Sequence, residues 1–532
     1  MNKSKTTALG DLLRQSIQNI SSYDTYLQST KHEETVHVAN VANVILFAYE
    51  QLRNASENIE DHLLLQRAIL RFYRRTLAFS DKRVPKSLGE ELITELTQAE
   101  YLPNDSIPVS MINQLDELIS EYYDLFWKLR HEKPAVSVRQ AEQWVLDVLS
   151  VKSEQLFNNP IRILSFAHFA HAHFTKLIEY ETLILPEESI DPADYPTLLY
   201  IAIHRALLKS DDANIRSGLL DLYSIKASQA SHFHDFNKKY DHLTSLKSTV
   251  RLSRFVNKNG APLRVARSAF FDQVNNHAAS LNLHSMPQTM NVVEAQIDSE
   301  YKEVRRSVNK GIIKSIIFLL ITKALIGLLV EIPYDVVVTG SIILLPLVIN
   351  LLFPPLFLAV TALTFKLPGA ANKTALTNYI MGMLYAEPDT HKPTLKYVES
   401  AGNNVLFNTI YTIVFIGAFY LVTDRLIALD FNIVQAIIFI IFLSTASFLG
   451  YRLTLQIKEL ELVNTNQGLS ALLRDFLYTP FIFVGKKISY RFGQLNIIAQ
   501  ILDVAIDLPL KTIVRLVRQW MVFLNNKKDE LL

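Results

Sequence analysis

Residues 311–332 read GIIKSIIFLLITKALIGLLVEI, and this apolar run decides the architecture of the chain. A transmembrane helix needs about 20 predominantly apolar residues to cross the roughly 30 Å of hydrocarbon in a bilayer. Three more apolar runs follow closely, at about 336–365, 405–422 and 433–453. Four such runs close together favour a membrane region over helices buried in a large soluble core, so we predict four spans between residues 310 and 454.

The preceding residues, 1–309, have the pattern of a soluble, all-α domain. Between Ile112 and Leu129, apolar residues follow steps of three and four, which places one apolar stripe on a helix face. Ser87 and Glu90 have the spacing of a capping box that opens another helix. A proline-bounded acidic loop suggests a subdivision near 185–196. Further helices are predicted at about 35–56, 60–80, 137–153, 157–182, 195–209, 213–230, 263–282 and 288–310.

Composition limits the function classes. The chain has 532 residues, a formal net charge of +1 and no cysteine. The balanced charge gives no reason to propose nucleic acid as a partner. The lack of cysteine excludes disulfides, thiolate zinc sites and a cysteine nucleophile. Phosphate-binding glycine loops and the serine-hydrolase and zinc-protease motifs are also missing, so we predict no catalytic residue, metal or cofactor.

Lysine and arginine predict the orientation, because positive residues are kept on the cytoplasmic side. They concentrate at 302–314 and in the loop 366–404, whereas the expected turns at 331–335 and 424–430 are short and acidic. We therefore expect a plasma (inner) membrane protein with both termini and the loop 366–404 in the cytoplasm. The polar N-terminus lacks the apolar core of a signal peptide, so the first span is expected to serve as the insertion signal.

The last part of the chain, 455–532, is predicted to be amphipathic and partly on the membrane surface. The apolar stretches 469–484 and 496–510 contain charges, and we favour helices that lie along the inner surface. Within 511–526, one stripe is apolar and another is cationic. Such a helix buries its apolar side among acyl chains and leaves its cations at head groups, although it would also suit packing on the soluble domain. The candidate lipid-contacting residues are Lys511, Arg515, Arg518 and Trp520.

Lys323, near the middle of the first span, is the leading candidate functional residue. An ammonium group there is costly and usually faces a cavity or a counter-charge. Asp503 and Asp507 share a helix face and are possible partners if their helix enters the bilayer. The alternative is that Lys323 extends along its own stem to a head group.

The second span is long and contains Pro354 and Pro355. Proline removes a backbone donor and kinks or breaks a helix, and a broken membrane helix can line an ion site. The more ordinary interpretation is a bend that fits a long helix to the bilayer.

Two clusters of polar residues in the soluble half are predicted to be structural and not to bind a metal or lipid. His168, His171 and His173 offer at most two converging ligands, too few for a metal site, so core or surface histidines are expected. Arg67, Arg71, Arg74 and Arg75 line one side of a helix and are expected to be solvated or paired with carboxylates such as Glu90, Glu91 or Glu95, rather than to bind lipid.

The leading functional hypothesis is a non-catalytic membrane-anchored scaffold or partner-binding protein. It rests on a large cytosolic part, small external loops and no recognisable active site. The alternative is a channel or transporter subunit with a pathway near the second span and Lys323. A second alternative is a membrane enzyme acting on lipid at the inner surface. Expected partners are the lipid bilayer and either a protein partner or further copies of this chain.

Overall fold

The computed structural model describes residues 6–29, 34–38, 50, 61–77, 79, 87–133, 135–179, 184–185, 187–272, 285–341, 343–385, 405–463, 478–489, 516 and 520. These residues are overwhelmingly helical and contain no strand, only two isolated bridges, Thr6 with Tyr385 and Thr35 with Pro108. The predicted all-α class is confirmed, together with four helices apolar enough to span a membrane.

Amphipathic helices form the part of the chain that precedes the first span. They are α1 (Ala8–Ser29), α2 (Leu64–Thr76), α3 (Leu88–Gln98), α4 (Ser110–Glu132), α5 (Val138–Phe157), α6 (Ile161–Leu177), α7 (Tyr195–Ile203), α8 (Asp212–Leu222), α9 (Ala230–Ser245), α10 (Lys247–Lys258) and α11 (Ala261–Arg267). Helices α7 and α11 each continue into a π-helical turn, at His204–Leu208 and Ser268–Asp272.

The membrane part contributes seven further helices to the described residues. They are α12 (Met286–Ile326), α13 (Ile332–Thr339), α14 (Leu344–Ala362), α15 (Ala370–Leu384), α16 (Val405–Ile427), α17 (Ile433–Lys458) and α18, over residues 478–489. Helix α15 lies between the second and third spans but is not one of the four apolar helices. We call α1–α11 together with α15 the extramembrane region.

Two apolar clusters hold the extramembrane region together. One joins α2–α5 and includes Leu220 of α8 and Phe233 of α9. The other joins α1, α6, α7, α10, α11 and α15, and it extends to Val293 and Ile297 in the first part of α12. Full burial of one such apolar side chain stabilises the fold by about 1.5–3 kcal/mol. The shared cluster therefore fixes the start of the first membrane helix to the extramembrane region.

Helix α3 begins where it was predicted but for a different reason. Ser87 has a φ of +63° and its side chain makes no cap hydrogen bond, so the predicted capping box is wrong. The Gly89 amide instead donates to Asp116 Oδ1 of α4 at 2.8 Å. A Cβ at Gly89 would lie 2.7 Å from the Ile112 carbonyl oxygen. Glycine is needed here because the two helices approach closely.

The predicted helix beginning at residue 35 is not observed within 34–38. There the Val36 amide donates to the Ile107 carbonyl at 2.8 Å, and the Val109 amide donates to the Glu34 carbonyl at 2.9 Å. Local helical periodicity is overridden at this point by pairing with the segment that leads into α4.

The first span is longer than predicted. One continuous helix runs over Met286–Val338, through α12, a π-helical turn at Gly327–Glu331, and α13. The predicted turn at 331–335 is therefore wrong. The chain turns instead at Gly340, whose φ of +73° favours glycine, and the second span begins at Leu344 rather than near 336.

The three helices α12, α14 and α17 pack closely around Leu319, Leu358, Phe442 and Ala446. Helix α16 packs against α17 through a separate cluster that includes Ala418 and Leu426. Many large apolar side chains of the four spans point away from these clusters and are exposed, as a lipid-facing surface requires.

Helix α18 packs against the spans. Phe481 is buried in the cluster between α16 and α17, and the Tyr478 ring lies 5.3 Å from the ring of Phe357 of α14. A Cβ at Gly485 would lie 2.1 Å from the Ser444 carbonyl oxygen, near the middle of α17. Residues 478–484, within a stretch that we expected along the inner surface, therefore contact α14, α16 and α17.

Candidate functional site in the membrane bundle

Lys323 of α12 is held inside the bundle by an ion pair. Its side chain is 1% exposed, and its ammonium group donates to Oε1 of Glu331, which is fully buried. The Nζ atom also lies 5.0 Å from the centre of the Phe442 ring of α17. The predicted partners Asp503 and Asp507 lie outside the described residues. Within the described part, Lys323 meets its counter-charge on its own helix instead of extending to a head group.

The π-helical turn explains how two residues eight positions apart meet. In a regular α-helix, eight residues exceed two full turns by about 80°, which would separate their side chains around the axis. The π turn at Gly327–Glu331 holds an extra residue and brings Glu331 back toward the face of Lys323. Pro333 lies just after this turn and has no backbone N–H to donate to a helical hydrogen bond. The π turn therefore coincides with a proline.

Asn350 of α14 joins this pair to the other two helices. Its Nδ2 donates to Glu331 Oε1 at 3.0 Å and to the Gln435 carbonyl of α17 at 3.2 Å. Both Pro354 and Pro355 are buried in the same helix. Pro354 stands four residues after Asn350 and cannot donate the usual helical hydrogen bond to the Asn350 carbonyl. The prolines therefore lie next to the polar cluster.

Asp335 forms the second half of the cluster. Its Oδ1 accepts from Asn432 Nδ2 at 2.7 Å, and its Oδ2 accepts from Gln435 Nε2 at 2.8 Å. Asn432 and Gln435 also make a reciprocal capping box at the start of α17. A carboxylate at a helix N-terminus is favoured by the helix dipole. Asp335 thus fixes the beginning of the fourth span against the end of the first.

The polar cluster occupies only one half of the bundle. It lies toward the turns at 340–343 and 428–432, where α13 ends and α14 and α17 begin. Farther along, the three helices meet through the apolar side chains of Leu319, Leu358 and Ala446, and then through Val308, Leu453 and Ile457. The described helices therefore combine a polar half with a packed apolar half.

A second polar centre, the junction, ties the bundle to the extramembrane region. Asn372 of α15 is 1% exposed and uses its whole side-chain amide. Its Nδ2 donates to Tyr301 Oη at 2.8 Å and to the Leu460 carbonyl at 2.9 Å. Its Oδ1 accepts from the amides of Leu462 and Val463 at 2.7 and 3.0 Å. One side chain therefore joins α12, α15 and the segment after α17.

One residue of the histidine run, His173 of α6, contacts α15. His173 Nε2 lies 3.2 Å from the hydroxyl of Tyr379 in α15, and burial lowers the pKa of His173 to about 4. His171 contacts the Pro196 carbonyl. Among the described residues, no group of three or more histidines and carboxylates is placed to hold a metal ion.

The arginines of α2 are largely paired. Arg67 contacts Asp211 at 2.8 Å, Arg71 contacts Glu50 at 2.6 Å, and Arg75 pairs with Glu95. The interpretation of a paired face is confirmed for these three residues.

Four residues of the membrane cluster escaped the sequence analysis: Glu331, Asp335, Asn432 and Gln435. The two acidic residues were assigned to a water-exposed turn because they interrupt the apolar run. The pattern Asn-x-x-Gln at 432–435 is a capping signal that was available from the sequence. Trp520 is helical and 63% exposed, whereas Lys511, Arg515 and Arg518 lie outside the described residues.

Comparison with known proteins gives no further assignment. No protein-family model, curated protein or solved structure matches this chain. The function must therefore be argued from the bundle and the junction themselves.

Proposed function

We propose that this protein is a membrane-anchored, non-catalytic partner-binding protein that holds its extramembrane helices in one fixed orientation to the bilayer. The observation that carries the proposal is the junction at Asn372 of α15, whose side-chain amide makes four hydrogen bonds, one to α12 and three to the segment after α17. A domain on a flexible linker would sample many orientations. A fixed orientation presents the same surface to a partner in or near the same membrane.

Two further contacts support this rigid attachment. Helix α12 runs without interruption from the extramembrane cluster, at Val293 and Ile297, into the bilayer part. After α17, Leu460 enters the same cluster, and Arg264 of α11 donates to the Glu459 carbonyl at 3.0 Å. The extramembrane region is therefore attached to the spans through the first part of α12 and through the segment after α17.

A channel or transporter subunit remains the second candidate, because Lys323, Glu331 and Asn350 form a buried polar cluster between three spans. An intramembrane ionisable residue is a functional hypothesis by default. The apolar packing of Leu319, Leu358 and Ala446 argues against an open route for an ion or solute between these spans in this conformation. An enzyme acting on lipid gains no support from the described residues, which hold no cluster of metal-ligating side chains.

The proposed location is the plasma (inner) membrane with both termini in the cytoplasm. Lys302, Arg305, Arg306 and Lys310 support this orientation, because they are exposed along α12 just before its apolar part. The turns at the other end of the bundle carry acidic Asp424 and Asp430 and one arginine.

Site-specific photo-cross-linking in intact cells tests the partner-binding proposal. A photoreactive amino acid would replace Leu222 of α8, which is 63% exposed. We expect a reproducible cross-linked product that falls several-fold in Asn372→Leu, because the four junction hydrogen bonds are lost. The matched control is Asn259→Leu, since Asn259 bonds only to the carbonyl of Phe255 in its own helix.

Two results would count against the proposal. One is a cross-linking pattern that is unchanged by Asn372→Leu although the variant inserts at normal levels. The other is cation flux into reconstituted vesicles that disappears in Lys323→Met, which would favour the transporter candidate instead.

A further inference from the structure

Two buried oxygen atoms at the centre of the bundle have no hydrogen-bond donor among the described residues. They are Oε2 of Glu331 and Oδ1 of Asn350, and both side chains are fully buried. The two residues already share the hydrogen bond from Asn350 Nδ2 to Glu331 Oε1, at 3.0 Å. A buried acceptor without a donor destabilises the fold, so two such atoms in adjacent side chains point to a ligand that supplies a donor.

We propose that Glu331 and Asn350 form a proton-binding site inside the membrane bundle. A hydronium ion transfers a proton to Oε2 of Glu331. One O–H bond of the hydronium breaks and leaves water, an O–H bond forms on the carboxyl group, and the new hydroxyl donates to Oδ1 of Asn350. One proton thus supplies a donor to one orphaned oxygen and occupies the other. Lys323 keeps its three hydrogens, so the cluster gains one positive charge in this step.

The surrounding groups favour a proton over a metal cation. Magnesium and calcium require six or more oxygen ligands, whereas two free acceptor oxygens are present here. The ammonium group of Lys323 on the same carboxylate also repels a metal ion. Among the described residues of α12 and α13, Asp335 is the further ionisable group of this cluster. Helices α14 and α17 face it with the uncharged Asn350, Asn432 and Gln435.

Protonation changes what holds the three helices together. The charged pair between Lys323 and Glu331 becomes a contact between an ammonium group and a neutral acid, while the Phe442 ring still faces Nζ at 5.0 Å. The bond between α13 and α17 through Asp335 is unaffected, because both of its oxygens already accept hydrogen bonds. The site would thus make the packing of α12 on α14 depend on proton concentration. This inference stands whether or not the protein binds a partner.

Infrared difference spectroscopy on the full-length protein in lipid nanodiscs tests the site. Lowering the pH should produce the carbonyl stretch of a protonated carboxyl at a frequency typical of a hydrogen-bonded acid, and the band should shift in heavy water. The band should be lost in Glu331→Gln. In Asn350→Leu it should move to the higher frequency of an acid without a hydrogen-bond acceptor.

The matched control is Asp335→Asn, which removes a buried carboxylate on the same helix and should leave the band in place. Absence of the band in the wild type at every pH where the protein stays folded would overturn the proposal, as would its survival in Glu331→Gln. If Glu331→Gln does not fold, an unshifted frequency in Asn350→Leu would overturn it. Removal of the band by sodium chloride, but not by choline chloride at equal ionic strength, would show that the site takes a metal cation instead.

Discussion

Lys323 carries a full charge inside a bundle whose neighbours are mostly apolar, and it does so because Glu331 lies on the same helix. Removing one member of a buried ion pair leaves the other charge without compensation, which is usually worse than removing both. The pair also receives one hydrogen bond from Asn350. The contribution of the ion pair to the free energy of unfolding is therefore best measured by comparing single and double substitutions.

For Lys323→Leu we expect normal membrane insertion but a free energy of unfolding lower by about 3–5 kcal/mol at mildly alkaline pH, because Glu331 is left charged and unpaired. The double variant Lys323→Met/Glu331→Gln should recover most of this loss, since the glutamine oxygen still accepts from Asn350. Unfolding of the purified variants in mixed micelles measures both values. A double variant as unstable as the sum of the two single variants would contradict this account.

The sequence predicted that Lys323 needs a counter-charge, and among the described residues Glu331 supplies it. Glu331 is eight residues away, and a regular helix would not bring it to the same face. The π turn at Gly327–Glu331 lies directly before the helix that contains Pro333, and helical periodicity does not reveal it. Buried acidic residues near the end of a span resemble a turn when only hydropathy is considered.

Among the helices, the packing of α18 against α17 is the least expected contact. It lies so close to α17 that a Cβ at Gly485 would lie 2.1 Å from the Ser444 carbonyl oxygen and 2.8 Å from Phe448 Cβ. Both are atoms of a packed helix that cannot easily move. Small residues at such crossings let two backbones approach in a membrane.

Gly485→Ala should therefore lower the free energy of unfolding by about 1–3 kcal/mol, the usual range for overpacking. Gly417→Ala in α16 is the control, because no atom lies within 4 Å of the added methyl group there. It should be neutral or slightly stabilising, since alanine favours a helix over glycine. Thermal unfolding of both variants in the same detergent gives the comparison, and equal stability would show that α18 does not pack on α17 as described.

The contact between α6 and α15 should respond to acid through His173. Burial lowers its pKa from 6.5 to about 4, so the folded chain resists a proton that the unfolded chain accepts. The stability contributed by the neutral ring is present above pH 6.5 and is lost as the pH falls toward 4, by up to about 3 kcal/mol.

His173→Gln should flatten that part of the stability profile, because glutamine does not titrate and can still bond to Tyr379. His168→Gln serves as the control, since His168 is exposed on the same helix. The measurement is chemical unfolding at several pH values between these limits. If the free energy of unfolding falls with pH equally in wild type and His173→Gln, His173 is not the source of the acid sensitivity.

Across the whole molecule, the absence of cysteine makes the orientation easy to test. Single cysteines would be placed at Leu429, in the turn before α17, and at Lys302, in the exposed early part of α12. A membrane-impermeant maleimide should label the first position in intact cells and the second only after permeabilisation. The reverse pattern would overturn the proposed topology.

The overall class was predictable because apolar periodicity and long apolar runs are properties of the sequence itself. The all-α class and four span-length helices were confirmed on that basis. The features that were not predicted are contacts between residues far apart in the sequence. A loop between two spans supplies α15 to the main apolar cluster, through residues such as Leu376 and Ile380, and only the assembled chain shows this.

The incorporation of α15 and Leu460 into that cluster has a consequence for biogenesis. A ribosome completes α1–α11 before the first apolar helix emerges, yet the hydrophobic surface that these helices share is closed by segments translated after the second and fourth spans. Nascent chains generally fold from the N-terminus in units that can complete themselves. The cluster around α1, α6, α7, α10 and α11 is therefore complete only after α15 and Leu460 have been synthesised, so its folding follows insertion of the spans.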